Sequence, residues 1–414
     1  MAKQRGSSAA LGFVLVTVML DLLAMGIVVP VLPRLVLDLL RDDTARAAVV
    51  FGAFGAVWAL MQFLFSPLQG VLSDRFGRRP VILASNFGLG LDYIVMATAP
   101  TLGVLLLGRI ISGITAASIS TATAYIADVS TPEQRAGRFG LISIAFGAGF
   151  VLGPAIGGLL GGIGVRLPFW VAAGLSLLNA IYGLAVLPES LPPSRRAALL
   201  WRRANPVGAL IFLRSHPGLL GLAAASLLSF LSRQVLPSVF VLYGFYRYGW
   251  GERAVGLALA VIGVCSAVVG GGLVQPAVRR LGERRTLLLG LVCGAVGFAG
   301  LGLAATQVLF WAVIPIIALW GVCPPATQSL MSRRIGPSEQ GLLQGAGASL
   351  IGLAGMVGPA LFATIFARSI KAGGAGAAGL PFMLAAVLMV AALAIAERAT
   401  RPASLEPVVK ERAG

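Results

Sequence analysis

The chain has 414 residues, 57% hydrophobic and only 11% charged, with a mean hydropathy of +0.91. A soluble domain needs roughly 25% charged residues to keep its surface wet, so soluble enzymes and secreted modules are excluded. The net charge of +17 would suggest nucleic acid in a soluble protein, but its placement along this chain points to a membrane instead.

Twelve apolar runs recur, at 10–32, 48–68, 80–99, 102–127, 139–162, 167–187, 218–243, 254–275, 286–305, 308–331, 342–367 and 380–396. Each can cross ~30 Å of hydrocarbon as a helix. With the N-terminus in the cytoplasm, the loops on its side hold 22 Lys and Arg and the opposite loops hold 8. That bias predicts an all-α multi-pass protein of a lipid bilayer, both termini cytoplasmic, with no nucleic-acid partner. Lys3 and Arg5 precede the first run as in a signal peptide. The run continues past Pro30 without a small-residue cleavage site, however, and reads as a retained span.

In chain order, the first anomaly is Asp21, in the middle of span 1 with no basic residue at its depth in the same helix. A carboxylate there either carries a proton through a conformational cycle or is a hydrogen-bonded structural group. After span 2 comes Ser73-Asp74-Arg75-Phe76-Gly77-Arg78-Arg79. Asp74 is suited to the positive N-terminus of a helix, and Arg75 and Arg78 could reach Asp128 at the end of span 4. Plain positive-inside anchoring explains the arginines but not the aspartate. Asp92 in span 3 and Arg109 in span 4 flank the turn near Pro100, each about 12 Å below it at 1.5 Å per residue. At matched depth they can pair, as a structural ion pair or as one linked to proton or substrate. Gly149, Gly153 and Gly157 lie on one face of span 5 beside Pro154, either as ordinary close packing or as a contact that slides between halves.

The segment 188–217 carries five arginines and divides the chain into six spans at 1–187 and six at 218–414. Self-similarity supports the division. Gly77 answers Gly282, Pro132 answers Pro337, Gly140 answers Gly345, and Gly153-Pro154 answers Gly358-Pro359, all at an offset of 205 residues. Parallel six-helix halves with a site between them near the midplane are a transporter architecture. In span 7, Arg233 lies about ten residues from the outer end, with three open readings: a partner for Asp21 or Asp92, a ligand for an anionic group on a cargo, or a side chain in a wet crevice. Gln62, Asn86, Ser118, Gln234 and Gln328 are further polar interruptions suited to a cavity wall. Cys265, Cys293 and Cys323 have neither metal-ligand nor disulfide spacing and read as small buried hydrophobes. No nucleophile pair, phosphate loop or metal cluster is present, so the reading is of a non-enzyme without a cofactor and without an ATPase.

GVLSDRFGRRPVIL (70–83) resembles the loop signature of the major facilitator superfamily, and GAGFVLGPAIGG (147–158) resembles the antiporter motif of its twelve-span drug:proton antiporters. MLDLLAMGIVVPVLP, LDYIVMATAPTL, LGRIISGITAA and SRRIGPSEQGLLQG are similar, in order, to the tetracycline efflux branch. The resemblance implies proton-driven export of a tetracycline-like molecule across a bacterial inner membrane by a monomer, with a divalent metal travelling with the substrate. It assigns proton coupling to Asp21, Asp92 and Arg109, the cytoplasmic gate to Asp74 and Arg78, and part of the cavity to Gln328. An uptake symporter, a facilitator, a metabolite exporter and a non-transporting receptor or scaffold are the alternatives. Two positions depart from the family: Gly294 stands in span 9 where it carries an aspartate, and Arg233 in span 7 where a neutral residue is expected.

Overall fold

In hydrocarbon, a backbone without water must satisfy its own hydrogen bonds, and helices do so segment by segment. The computed structural model describes residues 2–116, 118–130, 132–196, 213, 216–336 and 339–401, and every regular element in them is helical. The side chain of Ser118, Pro337 and most of the arginine-rich part of 188–217 lie outside the described residues.

Span 1 is Ala2–Val28, followed by a short helix Leu32–Leu39. Spans 2 and 3 are Thr44–Phe76 and Arg78–Thr98, and span 4 is built of Leu102–Thr115 and Ser118–Asp128. Spans 5 and 6 are Pro132–Gly161 and Leu167–Val186. Span 7 is broken into Pro217–Arg233 and Val235–Tyr248. Its break has a cause: Pro237 lacks the N–H that would bond to the Arg233 carbonyl. Span 8 is Glu252–Val268 with a π-helical turn, Val269–Leu273, leading into Val274–Leu303. This helical run of 52 residues would reach ~78 Å if straight, more than twice the membrane. Gly282, at φ 77° and ψ 162°, turns it back, so it supplies both span 8 and span 9. Span 10 comprises Gln307–Ala318, a tight 3-10 turn Leu319–Val322 and Cys323–Ser332, the turn preceding Pro324 and Pro325. Spans 11 and 12 are Gln340–Ala377 and Leu380–Ala399. All twelve expected spans fall on these helices.

The spans form two six-helix halves. A buried cluster through Phe240, Phe298, Phe310, Phe362 and Phe382 holds the second half together. The first half is packed around Tyr93, Met96 and Phe169 and around Val14, Ile82 and Tyr125. Between the halves, span 2 lies on span 11 and span 5 on span 8.

Those two seams close unevenly. Toward the face opposite the arginine-rich loops, a Cβ on Gly158 would sit 2.9 Å from the Gly256 Cα, and one on Gly55 would sit 3.0 Å from Pro359. Arg34 also reaches across to Glu252 there (3.7 Å). Toward the basic face, on the same faces of these helices, a Cβ on Gly147 (11 residues before Gly158), Gly270 (14 after Gly256) or Gly341 (18 before Pro359) would meet nothing within 4 Å. The halves therefore meet at one face and part at the other. The span 5 stripe does not form this seam. Gly149 faces Leu22, Gly153 faces Gly26 and Gly157 faces Ile27, all on span 1 of the same half. Gly158, on the neighbouring face of the helix, makes the inter-half contact.

Gly158→Ala should therefore cost about 1–3 kcal/mol, as overpacking does. Gly147→Ala on the same helix should be neutral or slightly stabilising. Thermal unfolding of the purified protein in detergent compares the two, and equal midpoints would contradict a glycine-limited seam.

Candidate functional site

A charge inside a span must be met by a partner, a ring face or water. The four such residues meet this requirement in different ways. Asp21, only 5% exposed, lies where spans 1, 3 and 6 touch. Asn179 donates to its Oδ1 (3.0 Å). With its amide nitrogen turned to the carboxylate, Asn86 donates to both oxygens (3.1 and 3.3 Å) and accepts from Asn179 (3.1 Å). The structure thus places Asn86 behind Asp21 in a buried polar knot, where the sequence suggested a cavity wall.

Asp92 is fully buried, and its carboxylate has no donor in close hydrogen-bond geometry; the Ser112 hydroxyl, one turn past Gly108, and the Arg109 charge are the polar groups that act on it. It fills the space left by the missing side chain of Gly108, whose Cβ would lie 2.7 Å from Oδ1. The expected Asp92–Arg109 ion pair does not form within 4 Å among the described residues. Arg109 instead lies over the ring of Trp58 on span 2, 5.5 Å from its centre. The two lie at matched depth, but successive residues Gly108 and Arg109 project from different sides of the helix; the face of Gly108 and Ser112 meets Asp92, while Arg109 acts on it only through its charge.

Arg233 follows the same pattern in the second half. It ends the first piece of span 7, is exposed, and lies 5.7 Å from the ring centre of Trp320 on span 10. Trp320 Nε1 donates to Ser229 Oγ (2.9 Å), which fixes the ring. Gly294 lies behind that ring: a Cβ there would be 2.9 Å from Trp320 Cδ1 and 3.3 Å from Met389. The indole fills the room that a span 9 aspartate would need. Gln234 turns away from Arg233 to pack on Gly355 and Gly358 of span 11. Gln328 lines a small cavity of ≈ 40 Å³ with Ser229, Thr327 and Leu350, and its Nε2 has no partner. Gln62 is half-buried one turn beyond Trp58.

At the basic face, Arg78 ties the first half's loop together. It donates to Asp74 (2.6 Å) and to Asp128 (3.0 Å). Arg75 is exposed and makes no ion pair among the described residues. Glu189, just past span 6, had no special standing in the sequence. It accepts from the backbone N–H of Arg78 (2.9 Å) and Arg79 (3.3 Å), so it caps the start of span 3. Gly77, at φ 108°, lets the carboxylate approach, since a Cβ there would lie 2.6 Å from Glu189 Cδ. The available signal was an acid directly after the last apolar residue of span 6, 111 positions from its target. The second half repeats the arrangement with the signs reversed. Glu283, 205 residues after Arg78, pairs with Arg333, 205 residues after Asp128, and accepts from Ser329 (3.3 Å).

Two six-helix halves around intramembrane charges, each half tied within itself by a matching loop ion pair, define a secondary transporter. The sequence profile of the Major Facilitator Superfamily matches residues 14–359, and the chain belongs to that family. Within it, the chain is 40% identical over 363 residues to the tetracycline resistance protein, class C, of Escherichia coli, covering 88% of this chain and 91% of that one. To the class G protein of Vibrio anguillarum it is 37% identical, with 88% and 92% covered. The nucleoside transporter NupG superposes with a TM-score of 0.79 at 13% identity over 95% of this chain and 99% of that one, a likeness of fold alone. The protein is a transporter and not an enzyme.

The two clamps should differ in strength. Arg78→Met strands two acids and should destabilise by about 1.5–3 kcal/mol, the range for charged hydrogen bonds. Arg333 is 69% exposed, and Arg333→Met should cost less than about 1 kcal/mol. Urea or thermal unfolding in micelles reads both, and equal losses would refute the ranking.

Proposed function

We propose that the protein is a proton-coupled antiporter of the bacterial inner membrane that exports a tetracycline-like amphipathic drug, with the basic face and both termini in the cytoplasm. It acts as a monomer of two halves, 1–187 and 218–414, joined by the linker 188–217, without a cofactor. Where a divalent metal takes part, it is cargo. The observation that carries this reading is the uneven seam: the halves are jammed at Gly158–Gly256 and open toward the basic face, the geometry of a carrier waiting for a substrate from the arginine-rich side.

Coupling then needs a proton site and a way to reverse the seam. Asp92 is the better proton carrier. A proton taken up there cancels a fully buried charge that no amide holds in close hydrogen-bond geometry and that Ser112 and Arg109 only partly offset, whereas one taken up at Asp21 must displace the amides of Asn86 and Asn179. Asp21 keeps the three helices of the first half in register, and Arg109 is held close by on Trp58. The Arg34–Glu252 bridge must part before the opposite face can open, while Arg78, Asp74 and Asp128 hold the cytoplasmic loop rigid.

Everted vesicles with an imposed pH gradient test this reading. Asp92→Asn should abolish gradient-driven accumulation of tetracycline while leaving insertion unchanged, because an amide is cheaper to bury than a charge. Asp21→Asn should lower the unfolding temperature more than Asp92→Asn does, because it turns a donor toward donors. Undiminished accumulation by the Asp92 variant would remove it from coupling, and uptake in place of efflux would favour a symporter.

A further inference from the structure

Among the described residues, the accessible charges of the membrane interior are both positive. Asp21 is enclosed by amides and Asp92 is fully buried, whereas Arg109 is only partly covered and Arg233 is exposed. Gly294 on span 9, behind the Trp320 ring, has no room for a side chain. Among the described residues Arg233 has no acid within ion-pair distance and no hydrogen-bond partner, so its donors are unused. It is nevertheless positioned: Pro237 ends its helix at that point, and the Trp320 ring beneath it is held by Ser229.

The position also has a direction. On span 7, Ser226, Ser229 and Phe230 line the cavity, and Arg233 continues the same helical face one turn further from the basic face. On span 10, Cys323, Thr327 and Gln328 line it, and Trp320 extends that face to the same end. Leu287, Leu291, Leu343 and Leu350 supply apolar walls. Gln328, eight residues from Trp320 and so about 12 Å along the helix, presents an amide nitrogen without a partner. The strip therefore has a guanidinium and an indole face at its deep end, apolar walls, and a neutral donor nearer the opening. It contains no carboxylate among the described residues.

We propose that Arg233 and Trp320 form the cargo-recognition subsite of the second half and that it takes an anionic oxygen group on a flat ring system. This rests on the export reading and sharpens it: the cargo binds as an anion, not as a cationic metal complex. The guanidinium donates to the charged oxygen, the indole packs against the rings, and Gln328 donates to a second oxygen further along.

Purified protein in proteoliposomes is tested with two xanthene dyes of opposite charge, fluorescein and rhodamine 6G, and with tetracycline in EDTA or in magnesium. Equilibrium binding of the dyes to detergent-solubilised protein is read in parallel. Wild-type protein should favour fluorescein and metal-free tetracycline. Arg233→Gln should weaken fluorescein binding and transport about tenfold or more, the scale of a charged hydrogen bond. It should also raise the relative transport of rhodamine 6G. Arg233→Lys should retain most fluorescein binding, and Trp320→Leu should weaken both dyes while keeping their order. These last two variants carry the test if Arg233→Gln does not insert. Export of rhodamine 6G and magnesium–tetracycline in preference, with a dye ratio that no Arg233 variant alters, overturns the subsite and leaves drug export standing. Arg233-dependent fluorescein binding with no transport of any probe ends the export reading and leaves the subsite standing.

Discussion

Four charges sit where hydrocarbon surrounds the protein, and the rest of the molecule is arranged around making each of them tolerable. Two acids and two bases could have been joined as two ion pairs. Instead each acid is enclosed within the first half, by amides at Asp21 and by the empty side of Gly108 at Asp92. Each base lies on a tryptophan face, one per half. A cation over an aromatic ring keeps its N–H groups available, whereas a bidentate carboxylate would use them up. The choice leaves attraction for an incoming group in the space between the halves, where a closed ion pair would leave none.

The same economy of contact governs the seams. A transporter must let its halves separate and meet again, so its interface cannot be built from interdigitated side chains that resist sliding. Here backbone approaches backbone at Gly158 and Gly256, and Gly52 and Gly55 of span 2 lie against Pro359 and Ala363 of span 11. Small residues allow close approach without interlocking. The π-helical turn at Gly270–Gly272, with open space around each glycine, puts the softest stretch of span 8 at the end where the seam is already parted.

Much of this was legible in the sequence because hydrocarbon simplifies the code. Twelve runs, a charge bias and a repeat offset give the spans and the halves, since little else satisfies a backbone in a bilayer. The Arg78–Asp128 contact followed from two charges at neighbouring loop ends. Facing was harder to read. Depth placed Asp92 beside Arg109, but a one-residue step on a helix turns the side chain by ~100°, so Gly108 took the contact. The stripe at Gly149, Gly153 and Gly157 was a true packing face, yet periodicity cannot say which neighbour it packs on. Glu189 was invisible because its partners are backbone N–H groups, which every residue offers and no motif marks. The Arg233–Trp320 contact joins residues 87 apart, and only the proline breaks near each of them hinted that the two helices are irregular there.

The loop clamps show what the repeat preserved. Arg78–Asp128 and Glu283–Arg333 share one offset and one geometry with their signs exchanged. Coulomb attraction is the same when both signs are reversed, so the pair itself cannot favour either arrangement. The surroundings can. In the first half Arg78 is only 11% exposed and is answered by Asp74 as well as Asp128, and a negative group in its place would face two acids. In the second half Arg279 stands 205 residues after Asp74, where the first half has an acid, and Glu283 pairs with Arg333 and accepts from Ser329. Each half is therefore consistent within itself. Exchanging one residue between the halves would break a clamp, while exchanging the whole set would not.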